Sequence, residues 1–331
     1  MKRIITVILS LAASLVVMAQ VRITTPETEL IIKADKGADL QILYFGARLS
    51  DADAANIEAA GVPGHSAYCA YGLWCASEAS LGVIHADGNL STSLKVESVM
   101  QSDVIDNSIV TKVVMKDAVY PFYVTVCYRA YQDVDMIETW TEIANLGKKP
   151  VTLTRFDSGY LPVRVGDVWL SHLHGTWAAE GLLVQEPLQR GMKVIKNKDG
   201  SRNSHTDHAE VMFSLDGKPQ ENTGRVIGAA LCYSGNYELR IDTRDTDYHE
   251  FYAGINPDNS SYKLESKEVF MTPELAFTYS DEGLSGASRN FHKWGRTYKL
   301  AHGDKLRKIL LNSWEGVYFD INEPGMDQMM A

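Results

Sequence analysis

The fold is set by two stretches, Phe122-Tyr-Val-Thr-Val-Cys-Tyr-Arg-Ala-Tyr131 and Met136-Ile-Glu-Thr-Trp-Thr-Glu-Ile-Ala-Asn145, which follow each other almost directly. In both, side chains of one kind recur at every second position, as expected of β-strands that bury one face. The residues between them, Gln132-Asp-Val-Asp135, favour a turn. The pair therefore predicts an antiparallel hairpin.

Further strands are predicted along the same part of the chain, near residues 29–33, 41–45, 94–99, 109–115, 151–156, 226–233 and 267–278. The segments between strands are rich in Gly, Asp and Asn, the residues that turns favour. Many strands joined in this way are typical of a large antiparallel sandwich. The sequence thus predicts a mostly β domain over residues 20–282.

The pattern changes after Asp281. Apolar residues then recur at helical spacing: Leu284, Ala287, Phe291 and Trp294. This period predicts a linker helix over residues 283–303, which ends near Gly303.

Residues 304–331 carry the signals of one β/α unit. A short apolar run, Lys308-Ile-Leu-Leu-Asn312, predicts a strand buried on both faces. Further on, Asn322-Glu-Pro324 combines a capping residue, an acidic first turn and an early proline, which predicts a helix start. Strand, loop and helix in this order form the unit of a β/α barrel, whose active-site residues follow the strands.

The first nineteen residues have the features of a secretory signal peptide. Lys2 and Arg3 precede an apolar run that ends in Val17-Met-Ala19, a small-residue cleavage site before Gln20. The run is too short and wrongly flanked for a membrane span. We expect export to the periplasm or the medium, with no membrane anchor.

Composition narrows the classes of partner. The formal net charge of −10 becomes −12 once Lys2 and Arg3 leave, and no basic cluster is present, so binding of nucleic acid is not expected. Cys127 and Cys232 lie in strand patterns and are predicted as small core residues. Two further cysteines, at positions 69 and 75, either form a disulfide in the exported protein or stay apart, since pairing demands a specific geometry.

Two groups of histidines could supply metal ligands. His172 and His174 share a face at strand spacing, and three further groups in sequence offer ligands: His205, Asp207 and His208. A site would require two distant loops to meet, so hydrogen-bonded or solvated histidines are the favoured interpretation. With no phosphate loop, dinucleotide fingerprint or nucleophile elbow, neither a metal nor a cofactor is expected.

An ordered set of segments resembles glycoside hydrolase family 36, the α-galactosidases or melibiases. The segments are His85–Gly88, Tyr128–Gly147, Gly175–Ala178, Ser204–His205, Tyr233–Tyr237, Ala253–Pro257, Phe270–Glu274 and Asn312–Asp320. Each is weak alone, whereas the set in this order covers essentially the whole mature chain and is specific.

The resemblance implies a β-supersandwich followed by a (β/α)8 barrel that removes terminal α-galactose with retention. The implied substrates are melibiose, raffinose-type oligosaccharides and galactomannan. Retaining glycosidases use two carboxyl groups, and in this family both are aspartates on later barrel strands that no position here matches. The chain is therefore expected to be a truncated enzyme, inactive by itself. The alternative is a non-catalytic carbohydrate-binding or oligomerisation module.

Within these limits, Trp314 is the main candidate for substrate contact. It matches the tryptophan after the family's first barrel strand, and an indole offers both a flat face and an N–H donor to a sugar. The alternative is a tryptophan that plugs the top of the barrel. Asp320 is interpreted as a solvated turn residue, because the motif does not place the nucleophile there.

Two further regions of the sandwich are secondary candidates. Relatives carry a loop that reaches a sugar in a neighbouring subunit, but here Cys75 and Ser77 stand where the aspartate and arginine would be. Trp74 and Glu78 either substitute for them or belong to an ordinary surface loop. Trp177 lies in a tight turn and either packs between domains or lines the pocket. A homo-oligomer through the sandwich is also implied.

Overall fold

The computed structural model describes residues 20–57, 66–72, 75–200, 206–245 and 247–331. One compact unit ends at Trp294, and a second comprises Gly295–Ala331. The strands of the first unit are β1 (Gln20–Thr24), β2 (Thr28–Lys33), β3 (Gln41–Ala47), β4 (Leu81–Ile84), β5 (Leu94–Gln101), β6 (Ser108–Asp117), β7 (Phe122–Tyr131), β8 (Ile137–Asn145), β9 (Val151–Val163), β10 (Trp169–Thr176), β11 (Ala179–Pro187), β12 (Gly191–Lys196), β13 (Asp207–Ser214), β14 (Val226–Leu231), β15 (Tyr237–Asp245), β16 (Tyr248–Ile255), β17 (Tyr262–Leu264), β18 (Glu268–Met271) and β19 (Leu275–Ser280).

The α-helices are α1 (Asp51–Ile57) and α2 (Gly283–Trp294) in the first unit, and α3 (Trp314–Val317) and α4 (Glu323–Met330) in the second. Among the described residues, no helix is both long enough and apolar enough to cross a membrane.

The strands form three antiparallel sheets. The largest has the order β11-β10-β13-β14-β19-β8-β7-β6-β5, with β18 also paired to β8. The second has the order β12-β15-β16-β9-β17, with β4 also on β9, and the third is β1-β2-β3. The predicted hairpin is β7–β8, in register from Phe122 opposite Asn145 to Ala130 opposite Ile137. The predicted mostly β, antiparallel sandwich is confirmed.

Aromatic pairs join the sheets across the core. Phe213 of the large sheet meets Phe251 of the six-stranded sheet with ring centroids 5.2 Å apart, and Phe156 meets Phe270 at 4.8 Å. Phe45 of the three-stranded sheet meets Phe277 at 5.0 Å. Edge-to-face pairs of this kind add to the free energy of burial. One continuous core therefore holds the three sheets together.

Most predicted strands are present, and two predictions about them need correction. The strand predicted at 267–278 is two strands, β18 and β19, because the chain turns at residues 272–274. Cys127 is buried as predicted, but the prediction of a core position for Cys232 was wrong. Strand β14 ends at Leu231, so the following cysteine already lies in the turn and is exposed.

The linker helix begins at Gly283 as predicted, but its α-helical part is shorter than predicted. It ends at Trp294, and residues Gly295–Lys299 form a π-helical turn. A glycine at this point favours the change because it is a poor α-helix former. Helix α2 packs on β14 and β19, where Gly228 leaves room: a Cβ there would stand 2.8 Å from the Phe291 ring.

The strand predicted at Lys308–Asn312 is absent, and that prediction was wrong for the described structure. The segment is extended without regular pairing, and Ile309 and Leu310 are exposed. A parallel strand needs neighbours to bond its backbone, and residues 295–331 contain no strand. The helix start is confirmed, because Asn322 Oδ1 accepts the Gly325 N–H at 2.9 Å and α4 follows.

A buried carboxylate links helix α2 to the large sheet. Glu138 is fully buried and accepts hydrogen bonds from Arg129 Nη1 at 2.6 Å, Tyr131 OH at 3.0 Å and Trp294 Nε1 at 3.1 Å. The Arg129 guanidinium also lies 5.0 Å from the centre of the Trp140 ring. A buried charge satisfied on this many sides holds a single arrangement of the elements that contribute to it.

Replacing Glu138 with alanine should lower the free energy of unfolding by about 3 kcal/mol, because the partly buried Arg129 charge loses one of its two carboxylate partners and the Tyr131 and Trp294 donors lose their acceptor. Equilibrium urea unfolding would measure the change. The matched control is Glu142→Ala, whose pair with Lys112 is partly exposed and should cost about 1 kcal/mol or less. Equal losses in the two variants would contradict the role assigned to Glu138.

Candidate functional site

Strand β15 carries the polar layer on which the candidate site rests. Glu238, Arg240 and Asp242 alternate along it with Leu239 and Ile241, which lie in the core. Because alternate residues of a strand face opposite sides of a sheet, the charged side chains share one face of the six-stranded sheet.

Two arginines and two carboxylates form a compact cluster on that face. Arg240 donates to Asp157 Oδ2, and its Nε lies 3.2 Å from Glu238 Oε1. Arg155 Nη1 donates to Glu238 Oε1 at 3.0 Å. Asp157 is buried, and burial raises its pKa above the ordinary value, against the lowering effect of Arg240 and Arg155. The four charges balance, which is the condition for keeping them out of water.

A second buried group fixes the described parts of one loop, residues 66–72 and 75–80 (together the 66–80 loop), to the sheet. Glu250 accepts hydrogen bonds from Tyr160 OH at 2.8 Å and from Ser77 Oγ at 2.7 Å. The Glu78 N–H donates to Tyr252 OH at 3.0 Å. Ser77 stands where relatives were expected to carry an arginine, and here its short side chain lies buried against a carboxylate.

A disulfide joins Cys69 to Cys75 in the same loop, which decides between the two alternatives left open by the sequence. Between these cysteines lies Tyr71, whose backbone is bonded on both sides: its N–H donates to Leu81 O at 2.8 Å and its carbonyl accepts from Thr92 N at 3.1 Å. Its ring is nevertheless 64% exposed. An exposed aromatic ring therefore sits on a fixed support.

Beside this loop lies a cleft of about 410 Å³. Its polar lining is Glu78, Thr154, Arg155 and Arg240. Its apolar lining includes Tyr71, Leu81, Val83, Ile84, Leu90 and Pro257. Ligand sites commonly have this size and combine apolar walls with a few convergent polar groups.

The structure places the predicted site residues in three regions. Glu78 lines the cleft, with its Oε1 3.7 Å from Arg244 Nη2. Trp74 lies outside the described residues. Trp177 is at the tip of the tight β10–β11 hairpin, 82% exposed, and does not line the cleft. Its prediction as a substrate contact stays a prediction.

Trp314 opens helix α3 in the second unit. Its N–H donates to Asn312 Oδ1 at 3.1 Å, and its ring makes edge-to-face contacts with Tyr318 at 5.4 Å and Phe319 at 5.0 Å. The side chain is about half exposed. Substrate contact by this residue stays a prediction. Asp320 is exposed in the turn before α4, as predicted.

Two of the candidate histidines lie beside carboxylates. His174 Nδ1 lies 3.1 Å from Asp207 Oδ1, and His172 Nε2 lies 3.4 Å from Glu186 Oε1. His205 is outside the described residues. Within the described ranges, no group of three or more His, Cys, Asp or Glu side chains is arranged to hold a metal ion.

The arginines and buried carboxylates of the polar layer were missed from the sequence. A signal was present in Glu238-Leu-Arg-Ile-Asp-Thr-Arg244, where charge alternates in sign at every second position. Such a run predicts a strand with an ion-paired face. The partners on β9, Arg155 and Asp157, had no comparable signal, because they are far away in sequence and meet β15 only through the sheet order.

Comparison with known proteins decides the family. A model described as the glycosyl hydrolase family 36 N-terminal domain matches residues 38–265, and one described as melibiase matches residues 269–331. The chain belongs to glycosyl hydrolase family 36. Its resemblance to that family, first seen in the ordered segments, is confirmed.

The similar proteins of this family are α-galactosidases. The chain is 33% identical over 215 residues to α-galactosidase AgaA of Geobacillus stearothermophilus, an alignment covering 64% of this chain and 29% of that protein. Crystal structures of AgaA variants in complex with stachyose and with raffinose each superpose with a TM-score of 0.83, at 24% and 23% identity. Both superpositions cover 94% of this chain and 48% of the other, so this family member spans about half the length of those enzymes.

The His85–Gly88 segment of the family pattern forms the turn after β4. His85 is buried, its Nε2 lies 2.9 Å from Thr92 Oγ1, and its ring stacks on Tyr120 with centroids 3.7 Å apart. Burial lowers the pKa of His85 below its ordinary value, while the nearby Asp117 and Asp87 raise it less. The folded chain therefore favours the neutral ring.

This turn should make stability depend on pH. Below the ordinary histidine pKa of about 6.5, the unfolded chain binds a proton that folded His85 resists, so the free energy of unfolding should fall from pH 7 towards pH 5. Urea unfolding at several pH values would measure the slope. His85→Gln should reduce the slope and leave the part due to His249, whose pKa burial also lowers, whereas His292→Gln, at an exposed position, should leave the slope unchanged. An unchanged slope in His85→Gln would refute this assignment.

Proposed function

We propose that these residues are the sandwich and the first barrel residues of an α-galactosidase that removes terminal, non-reducing α-D-galactose. The observation that carries the proposal is the ordered match of two models of one glycoside hydrolase family over residues 38–265 and 269–331. The relatives that support it are named α-galactosidases, and their complexes hold stachyose and raffinose. The proposed substrates are melibiose, raffinose-type oligosaccharides and galactomannan.

The proposed chemistry is double displacement with retention, which needs a nucleophilic carboxylate and an acid/base carboxyl about 5–5.5 Å apart. The family resemblance assigns both to aspartates on barrel strands that follow the first one, and no position of these 331 residues matches them. We therefore propose that the 331-residue chain by itself releases no galactose. Its contribution would be the sandwich and Trp314.

We also propose export, with cleavage between Ala19 and Gln20, on the basis of the basic, apolar and small-residue pattern at residues 1–19. The disulfide between Cys69 and Cys75 supports an oxidising compartment. Assembly into a homo-oligomer through the sandwich is a further part of the proposal. It is supported by the exposed Leu182 and Leu183 of edge strand β11, since uncovered apolar edge strands invite pairing.

A non-catalytic carbohydrate-binding module is the second candidate, favoured by the mixed polar and apolar cleft beside the 66–80 loop. Galactose release separates the two. We expect the protein captured from its native host with an antibody to the sandwich to release galactose from melibiose and raffinose. The isolated 331-residue chain should release none. If the captured protein also releases none, the α-galactosidase proposal fails and the binding module takes its place.

Trp314 should matter to that activity through stacking on the sugar ring. In the galactose-releasing protein, Trp314→Ala should lower kcat/KM for raffinose about tenfold, the equivalent of about 1.4 kcal/mol, while Trp314→Phe should retain most of it. Leu306→Ala, at a fully exposed position of the same unit, is the control. If Trp314→Ala and the control have the same kcat/KM, the tryptophan does not contact substrate.

A further inference from the structure

We propose that the cleft beside the 66–80 loop binds one neutral sugar unit of a galactose-bearing oligosaccharide, with Tyr71 as its stacking platform and Arg155 and Arg240 as its donors. The identity of the sugar rests on the proposed function. The existence of the site rests on the geometry of the cleft itself.

The donors are fixed before any ligand arrives. Arg240 is buried, is bonded to Asp157, and stacks over the Tyr252 ring with its guanidinium 4.7 Å from the ring centre. Arg155 is bonded to Glu238 and keeps 27% of its side chain exposed. A guanidinium presents five N–H donors in a rigid plane, so an arginine held from behind can still direct donors into the cleft. Binding then costs little side-chain ordering.

Charge balance selects the class of ligand. The positive charges of Arg155 and Arg240 are matched by Asp157 and Glu238, all within the same cluster. Glu78 adds a negative charge at the rim, where it faces Arg244 at 3.7 Å. No positive charge is left in excess to hold a phosphate, sulfate or uronic acid. A neutral polyol can use the same donors, and it can donate to the Glu78 carboxylate in return.

The apolar side of the cleft suits a sugar ring. Tyr71 is 64% exposed although its backbone is bonded to Leu81 and Thr92, and the disulfide at Cys69 closes the loop around it. Ile84 and Leu90 extend the apolar wall. The C–H face of a pyranose packs on such a ring while its hydroxyls meet the arginines. The volume of about 410 Å³ is in the range of small-molecule sites.

The other two leading features of the molecule lead to no site. The groove between α2 and the large sheet, lined by Leu173, Met212 and Phe291 among others, is apolar, and nothing in the structure shows what covers it. The hydrogen-bonded turn around His85 is closed by its own stacking on Tyr120. The cleft is the one of these three features with both donors and an exposed ring.

Binding to the 331-residue protein tests the inference without interference from hydrolysis. Titration with stachyose and with raffinose, followed by saturation-transfer NMR and calorimetry, should show saturable binding. Tyr71→Ala should weaken it at least tenfold and Tyr71→Phe should leave it nearly intact. Val119→Ala removes an exposed apolar side chain outside the cleft and should have no effect. Circular dichroism of each variant checks that the fold is kept.

Glu78→Gln and a charged ligand test the choice of ligand class. Glu78→Gln should weaken binding of the neutral sugar severalfold, because a carboxylate accepts hydroxyl donors better than an amide. Digalacturonate should bind more weakly than a neutral digalactoside. The inference is overturned by absent saturable binding in the wild type, by unchanged binding in Tyr71→Ala, or by tighter binding of the uronic acid.

The outcomes also separate this inference from the proposed function. Tyr71-dependent binding in a protein whose native form releases no galactose would remove the enzyme proposal and leave the site. If the native form releases galactose but the cleft of the 331-residue chain binds no sugar, the enzyme proposal stands and the proposed site is ruled out.

Discussion

The balanced cluster of Arg155, Asp157, Glu238 and Arg240 is the constraint on which the rest of the sandwich surface depends. A carboxylate buried this deeply is tolerable only when cations stand beside it, and the two arginines need the same carboxylates to remain out of water. The cluster brings β9 and β15 together although β16 lies between them in the sheet. It thereby fixes the floor over which the 66–80 loop closes.

Two positions of the loop depart from the pattern that the family resemblance implies. Where relatives were expected to place an aspartate and an arginine, this chain has Cys75 and Ser77. The cysteine closes the loop on itself and the serine anchors it to Glu250. Both side chains are therefore bonded within this protein. The exposed chemistry moves to Tyr71 and Glu78, which lie at the cleft.

Predictions from the sequence were correct where they rested on the period of the side-chain pattern or on the order of motifs along the chain. Alternation predicted the β7–β8 hairpin and most strands of the large sheet, and the cap signal at Asn322 predicted the start of α4. Order of motifs predicted the family. The failures have physical causes. The run at 308–312 has the composition of a buried strand, but composition supplies no pairing partner. Cys232 looked like the end of a strand that stops one residue earlier.

For the candidate site, sequence could name Glu78 but not its neighbours. Arg155 and Arg240 are 85 positions apart, and only the pairing of β9, β16 and β15 brings them together. Charge alternation in β15 predicts an ion-paired face, but it does not identify the strand that supplies the partners. The sequence also gave no sign that the Tyr71 ring is exposed, because the exposure of an aromatic residue depends on the path of the loop and not on its local sequence.

The order of the large sheet has a consequence for how the chain acquires its structure. Its middle is closed by β19 pairing with β8, which joins residues 137–139 to residues 275–277. Every strand from β5 to β8 can form hairpins early, but the other half of the sheet has no central neighbour until β19 has been synthesised. Native contacts this distant in sequence make folding slow. When only the first half of the sandwich has been synthesised, the nascent chain has unpaired strand edges. A chaperone would act on those edges.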